Sequence, residues 1–105
     1  MTDNWHLHAD SSSELVSSWP LRHGTMRAGL YAPKGSDDQT PHDQDEIYVI
    51  QAGQGIFVRD GERSAFVPGD LIFVDARTPH HFEDFSDDFA CWVVFWGPMG
   101  GEGKA

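Results

Sequence analysis

Three side chains of this chain carry donors that suit a metal ion, and each lies beside an apolar strand. His42 and Glu46 sit in Thr40-Pro41-His42-Asp43-Gln44-Asp45-Glu46, which runs into Ile47-Tyr48-Val49-Ile50; His80 closes the stretch Gly69 to His80. Imidazole nitrogen and carboxylate oxygen suit divalent transition ions such as iron, manganese, nickel or zinc. Two imidazoles and one carboxylate leave coordination positions open, and those are where water and a substrate bind. Two neighbours offer a further oxygen. Thr40 has a hydroxyl that could hold a metal-bound water, and alternation from His42 and Glu46 places Gln44 on their face.

The elements that must hold these residues are strands. Short apolar runs recur at Met26–Tyr31, Glu46–Gln51, Gly55–Arg59, Ser64–Val67, Leu71–Val74, His80–Phe85 and Phe89–Trp96. Gly53-Gln54-Gly55, Asp60-Gly61, Pro68-Gly69-Asp70 and Ser86-Asp87-Asp88 punctuate them. Short strands bounded by such turns predict an antiparallel sandwich or barrel. Alternation then puts Tyr48 and Ile50 on the face of Glu46, and Phe82 and Asp84 on the face of His80. The pocket so outlined has Tyr48, Ile50 and Phe82 as walls, and Tyr48 is its nearest hydrogen-bond donor or acid. Before residue 26 the reading is a short strand over Asn4 to His8 and a short helix begun by the Ser11–Glu14 capping box and stopped by Pro20.

These stretches resemble the two signature motifs of the cupin superfamily. In the first, His42 falls on the second histidine of His-x-His, Glu46 and Gly53 keep the family spacing, Thr40 stands at the first histidine, and Gly35 is one residue closer than the pattern asks. In the second, Gly69 and His80 fit, while Asp75, Arg77 and Asp84 stand for the motif's proline, glycine and asparagine. The resemblance implies an all-β, double-stranded β-helix: a jelly-roll-like barrel with His42, Glu46 and His80 as ligands of one divalent metal. It implies one cupin domain over 1–105, with the barrel over roughly 26–96, an N-terminal arm over 1–25 and a Gly-rich, loose tail over 97–105. Cupins include dioxygenases, isomerases and non-catalytic ligand binders, so fold does not choose the activity. The expected function is to hold a metal and a small organic ligand, as a metal-dependent dioxygenase or isomerase. The alternatives are a ligand-binding or sensory barrel and a structural stress or storage role.

Bulk properties narrow the partners. The chain has 105 residues, enough for one core, and a formal charge of −10 from 17 acidic and 7 basic side chains. Such a surface repels phosphate backbones and anionic lipid, so neither nucleic acid nor membrane is expected as a partner. No apolar run approaches the ~20 residues that span a bilayer. The first residues lack a signal peptide's basic start and apolar run, and Cys91 is the single cysteine. A cytoplasmic location is therefore expected. Phe89 to Trp96 is apolar on both faces, which predicts a homodimer that covers one of them.

The remaining candidates read as bland. His81 should face away from His80. His6 and His8 form a surface pair, and His23 has no context. Arg27 and Arg59 read as solvated strand residues, able to grip a substrate carboxylate only if they face inward. Cys91 reads as a small buried hydrophobe and Asp87-Asp88 as an exposed turn. Trp92 and Trp96 share a face with Val94, lining either pocket or interface.

Overall fold

The computed structural model describes residues 5–8 and 19–103. It contains eight strands: β1 (Leu21–His23), β2 (Met26–Tyr31), β3 (Asp45–Ala52), β4 (Gly55–Arg59), β5 (Glu62–Phe66), β6 (Leu71–Val74), β7 (His80–Glu83) and β8 (Ala90–Trp96). No helix forms among the described residues. The strands make a five-stranded sheet in the order β1-β2-β8-β3-β6 and a three-stranded sheet in the order β5-β4-β7, with every pairing antiparallel.

The two sheets face each other, and alternation decides what lies between them. In β3, Glu46, Tyr48 and Ile50 are buried; in β8, Cys91, Val93 and Phe95 are. The smaller sheet answers with Phe57, Phe66 and Phe82. Ring contacts knit this interior, with Phe82 centred 4.9 Å from Tyr48, 4.8 Å from Phe57 and 4.7 Å from Phe89. Burial raises the Cys91 thiol well above its ordinary pKa, so it stays a neutral hydrophobe.

Two turns have local causes. Asp60 and Gly61 both have positive φ, 51° and 84°, which makes the two-residue hairpin turn between β4 and β5. Gly53 has φ 86°, and a Cβ there would lie 2.5 Å from the Cα of Phe89. Only glycine allows that approach.

Several elements depart from the sequence reading. β1 was not expected, and β5 begins two residues earlier than its apolar run, because pairing with β4 through Arg59–Glu62 extends the hairpin to its turn. β7 ends at Glu83, since Asp84 turns to φ 53°; Asp84 is consequently exposed and leaves the His80 face. Residues 5–8 form no strand, and the Ser11–Glu14 helix lies outside the described residues. The glycine-rich tail is docked: Glu102 N–H donates to Asp45 Oδ2 at 2.9 Å, Gly100 N–H to the Asp43 carbonyl at 2.6 Å, and Gly97 N–H to Thr25 Oγ1 at 3.0 Å. Composition suggested looseness, but the buried Asp45 carboxylate supplies an acceptor that composition does not reveal.

Candidate metal centre

Glu46 is positioned by the central strand β3, flanked by Phe95 of β8 and Val74 of β6. His80 opens β7 in the opposite sheet, and His42 sits on the loop that leads into β3. One donor atom from each of His42, Glu46 and His80 can be chosen so that all lie within 4.8 Å of one another. Thr78 orients the His80 ring: its Nδ1–H donates to the Thr78 carbonyl at 2.8 Å. That bond assigns the proton to Nδ1 and leaves the Nε2 lone pair facing the interior, the arrangement that orients a metal-ligating histidine.

Nε2 of His80 lies 2.8 Å from Glu46 Oε1, with both side chains about 1% exposed. Even so, neither Glu46 oxygen has a well-directed hydrogen-bond donor, and both are buried. A buried carboxylate whose near neighbour is an imidazole nitrogen is costly unless that ring is protonated or a metal joins the two. The donor set is therefore one that fits a divalent transition ion, two imidazole nitrogens and one anionic oxygen.

The electrostatics follow from this packing. Burial drives the His80 ring toward neutrality, but the adjacent Glu46 carboxylate and the Thr78 carbonyl outweigh it and leave the pKa above the usual histidine value. Burial lowers the pKa of His42, against the pull of Glu46 and aided by His80 and Arg27. Tyr48 is 1% exposed, and burial followed by the Glu46 charge raises its phenol well above 10. Its hydroxyl is 3.0 Å from His80 Nε2 and 3.0 Å from Gln39 Oε1.

The other sequence candidates fall elsewhere. Gln44 does not complete the donor set. Its carbonyl oxygen accepts from Arg27 at 2.8 Å, and its amide donates to the carbonyls of Thr25 and Gly97 at 3.0 and 2.8 Å. Thr40 is exposed, and the side chain that enters from this loop is Gln39, one residue earlier. Strand alternation fails there because residues 32–44 are loop. Ile50 and Phe82 are buried in the core on the faces expected for them. Arg27 faces inward, its guanidinium 4.7 Å from the Trp19 ring centre and 5.0 Å from that of Phe95. Arg59 pairs with Asp75 at 2.7 Å. His81 bonds Glu83 at 2.9 Å, half exposed, and Trp92 and Trp96 lie on the outer face of the larger sheet.

Sequence reasoning missed Gln39 and Asp37. The Asp37 carboxylate accepts from Gln39 Nε2 at 2.6 Å, from the Phe82 N–H at 2.9 Å and from the Tyr31 hydroxyl. The polar composition of Pro33–Pro41 was the only sequence signal, and it does not say which side chains turn inward. A groove of about 450 Å³ runs between the edges β5 and β6, lined in part by Arg59, Arg63, Leu71 and Ile72. Phe57 also lines it, and its ring centre is 6.0 Å from that of His80 and 5.7 Å from that of Tyr48. No helix is long and apolar enough to cross a membrane among the described residues.

Comparison with known proteins agrees with this architecture. An uncharacterized protein of Streptomyces coelicolor is 35% identical over 80 residues, covering 74% of this chain and 76% of its own. The crystal structure of a cupin protein from Bacteroides fragilis superposes with a TM-score of 0.65 at 17% identity, over 100% of this chain and 92% of the other. A predicted oxalate decarboxylase from Thermotoga maritima does so with a TM-score of 0.54 at 26% identity, over 68% of this chain and 64% of its own. The family model for the cupin domain matches residues 29–96, most of the barrel with its two motifs, and the chain belongs to the cupin family.

Proposed function

We propose that this cupin holds one divalent transition metal on His42, Glu46 and His80 and works as a metal-dependent enzyme on a small organic ligand, with Tyr48 as its proton-transfer residue. The observation that carries the reading is Glu46: a carboxyl side chain 1% exposed, both oxygens without a directed donor, with His80 Nε2 2.8 Å away. When bound, a divalent ion supplies Lewis acidity, polarising a ligand oxygen and lowering the pKa of a neighbouring phenol or water.

The chain's own groups do the rest. Tyr48 Oη can hold a proton or release one, and Gln39 Oε1 is there to accept a hydrogen bond from it. Phe57 and Phe82 pack on Tyr48 and keep water from the phenol. The groove that Phe57 helps to line has the volume of a small-ligand site; Arg59 and Arg63 on its wall stand beside Glu62 and Asp70 and are paired with Asp75, Glu83 and Asp84, so its charges are balanced within the protein. The predicted oxalate decarboxylase of Thermotoga maritima that this chain resembles is compatible with a small organic substrate. A phenol able to move a proton favours isomerisation or elimination over oxygen chemistry. The second reading is a non-catalytic ligand-binding barrel, favoured by how tightly aromatic rings fill the interior. A cytoplasmic location and a homodimer belong to the same proposal.

Metal analysis of protein purified without chelator tests it. About one transition ion per chain is expected, lost in the His42→Ala, His80→Ala double variant. Full occupancy in that variant would remove the assignment. In the loaded protein, Tyr48→Phe should abolish turnover of a small organic substrate while keeping the metal; binding of that molecule without turnover in either form selects the second reading.

A further inference from the structure

The family pattern has a histidine two residues before His42, and this chain has Thr40 there, exposed. The loop supplies a different side chain. Gln39 donates through Nε2 to Asp37 Oδ2 at 2.6 Å, and Asp37 is itself fixed by the Phe82 N–H and the Tyr31 hydroxyl. With its nitrogen end so committed, the amide must present Oε1 to the interior. That oxygen lies 3.1 Å from His42 Nε2 and 3.0 Å from Tyr48 Oη.

The result is an unbroken series of donor atoms. Glu46 Oε1 is 2.8 Å from His80 Nε2, which is 3.0 Å from Tyr48 Oη, then 3.0 Å to Gln39 Oε1 and 3.1 Å to His42 Nε2. Ligands at right angles around an ion with bonds of about 2.1 Å are separated by about 3.0 Å. Gln39 Oε1 is an acceptor at that spacing from a named ligand atom, His42 Nε2, and its amide nitrogen is already committed to Asp37.

We infer that Gln39 Oε1 is a fourth protein ligand of the metal, in place of the family's first histidine, and that Asp37 is the positioning residue that holds the amide in that orientation. This rests on the metal-binding reading above. Thr40 takes no part, because the loop turns its side chain outward.

The test is titration of Co²⁺ into chelator-stripped protein, followed by dialysis equilibrium and by the visible spectrum of the bound ion. Wild-type protein should bind one Co²⁺ per chain. Gln39→Ala should weaken binding by at least tenfold and alter the ligand-field spectrum, because a donor atom is lost. Gln39→Glu, which keeps the length and adds charge, should restore or exceed wild-type affinity. Asp37→Asn should lower affinity by a smaller factor and leave the spectrum of the saturated protein unchanged. Wild-type affinity and an unchanged spectrum in Gln39→Ala would overturn the inference and leave the metal site standing. Absence of Co²⁺ binding in wild-type protein would overturn both. Thermal unfolding of each metal-free variant separates lost folding from lost ligation.

Discussion

His42 and His80 share one site but respond oppositely to protons. The metal-free pair therefore has a defined pH signature. The raised pKa of His80 contributes stability that is complete below the unfolded value, about 6.5, and is lost as pH rises through the folded value. The lowered pKa of His42 contributes in the other direction, present above about 6.5 and lost as pH falls. Metal-free protein should have its highest melting temperature near pH 6.5. His80→Gln should flatten the alkaline limb and His42→Gln the acid limb; unchanged limbs in both variants would refute the assignment. Metal affinity itself should rise with pH, because the ligands must shed protons. Arg77 makes a second residue-scale case. It occupies the motif's glycine position and has φ 67°, a conformation that costs a side-chain-bearing residue roughly 1–2 kcal/mol. Its ion pair with Asp43 is exposed and offsets little of this. Arg77→Gly should stabilise by up to about 1 kcal/mol in urea unfolding, since glycine also gains freedom in the unfolded chain. At Thr40, substitution by histidine should leave Co²⁺ affinity unchanged within about twofold, because the position faces solvent. A large gain would show that the loop can swing it inward.

Strands and loops share the work of placing the donors. β3 fixes Glu46 and Tyr48 on one face because side chains alternate, and β7 brings His80 from the opposing sheet. The loop before β3 supplies His42, Gln39 and Asp37, and its end is tied by the Arg77 N–H donating to the His42 carbonyl at 2.5 Å. The most demanding junction is at Gly53, where β3 turns into β4 against Phe89. Gly53→Ala combines a left-handed backbone with a 2.5 Å approach to backbone. It should destabilise by roughly 2–5 kcal/mol, read from denaturant midpoints. A loss under about 1 kcal/mol would mean that the segment around Phe89 yields readily. These elements were legible to different degrees. The Asp60-Gly61 hairpin was readable because its backbone requirement is written in the residue types themselves. β1 was not, since Leu21-Arg22-His23 carries no alternation that distinguishes it from loop; it is a strand because β2 offers an edge to pair with.

At the scale of the whole molecule, one surface stands out. Most outward residues of β8, β3 and β6 are apolar, among them Ile47, Val49, Leu71, Phe73, Trp92 and Trp96, with Asp45 and Gln51 at the two ends of β3 as the polar members. Leu71 and Phe73 are 63% and 47% exposed. Four strands of about five residues span roughly 19 by 17 Å. That is about 320 Å², short of the ~800 Å² per partner of a standard interface, so a stable dimer would need contacts beyond these strands as well. A chain with charge −10 repels its copies everywhere except across an uncharged face, so a second copy is the occupant we expect. Sedimentation at micromolar concentration should give a dimer mass, and Phe73→Glu with Trp92→Glu should give a folded monomer. A wild-type monomer under those conditions would refute it.

The sequence by itself determined the strand pattern, the inward face of β3 and the family motifs around His42, Glu46 and His80, because period-two alternation and residue spacing are local properties. It also marked β8 as apolar on both faces, and those faces are now the core and the outer patch. What only the tertiary structure decided lies in loops and across sheets. Gln44 was drawn away by the Thr25 and Gly97 carbonyls, Gln39 was turned inward by Asp37, and the glycine tail was held by Asp45. In each case a polar group takes the partner that folding brings within reach, and that partner is 19 or more residues away or lies in a loop without periodicity, where a linear pattern carries no information about direction.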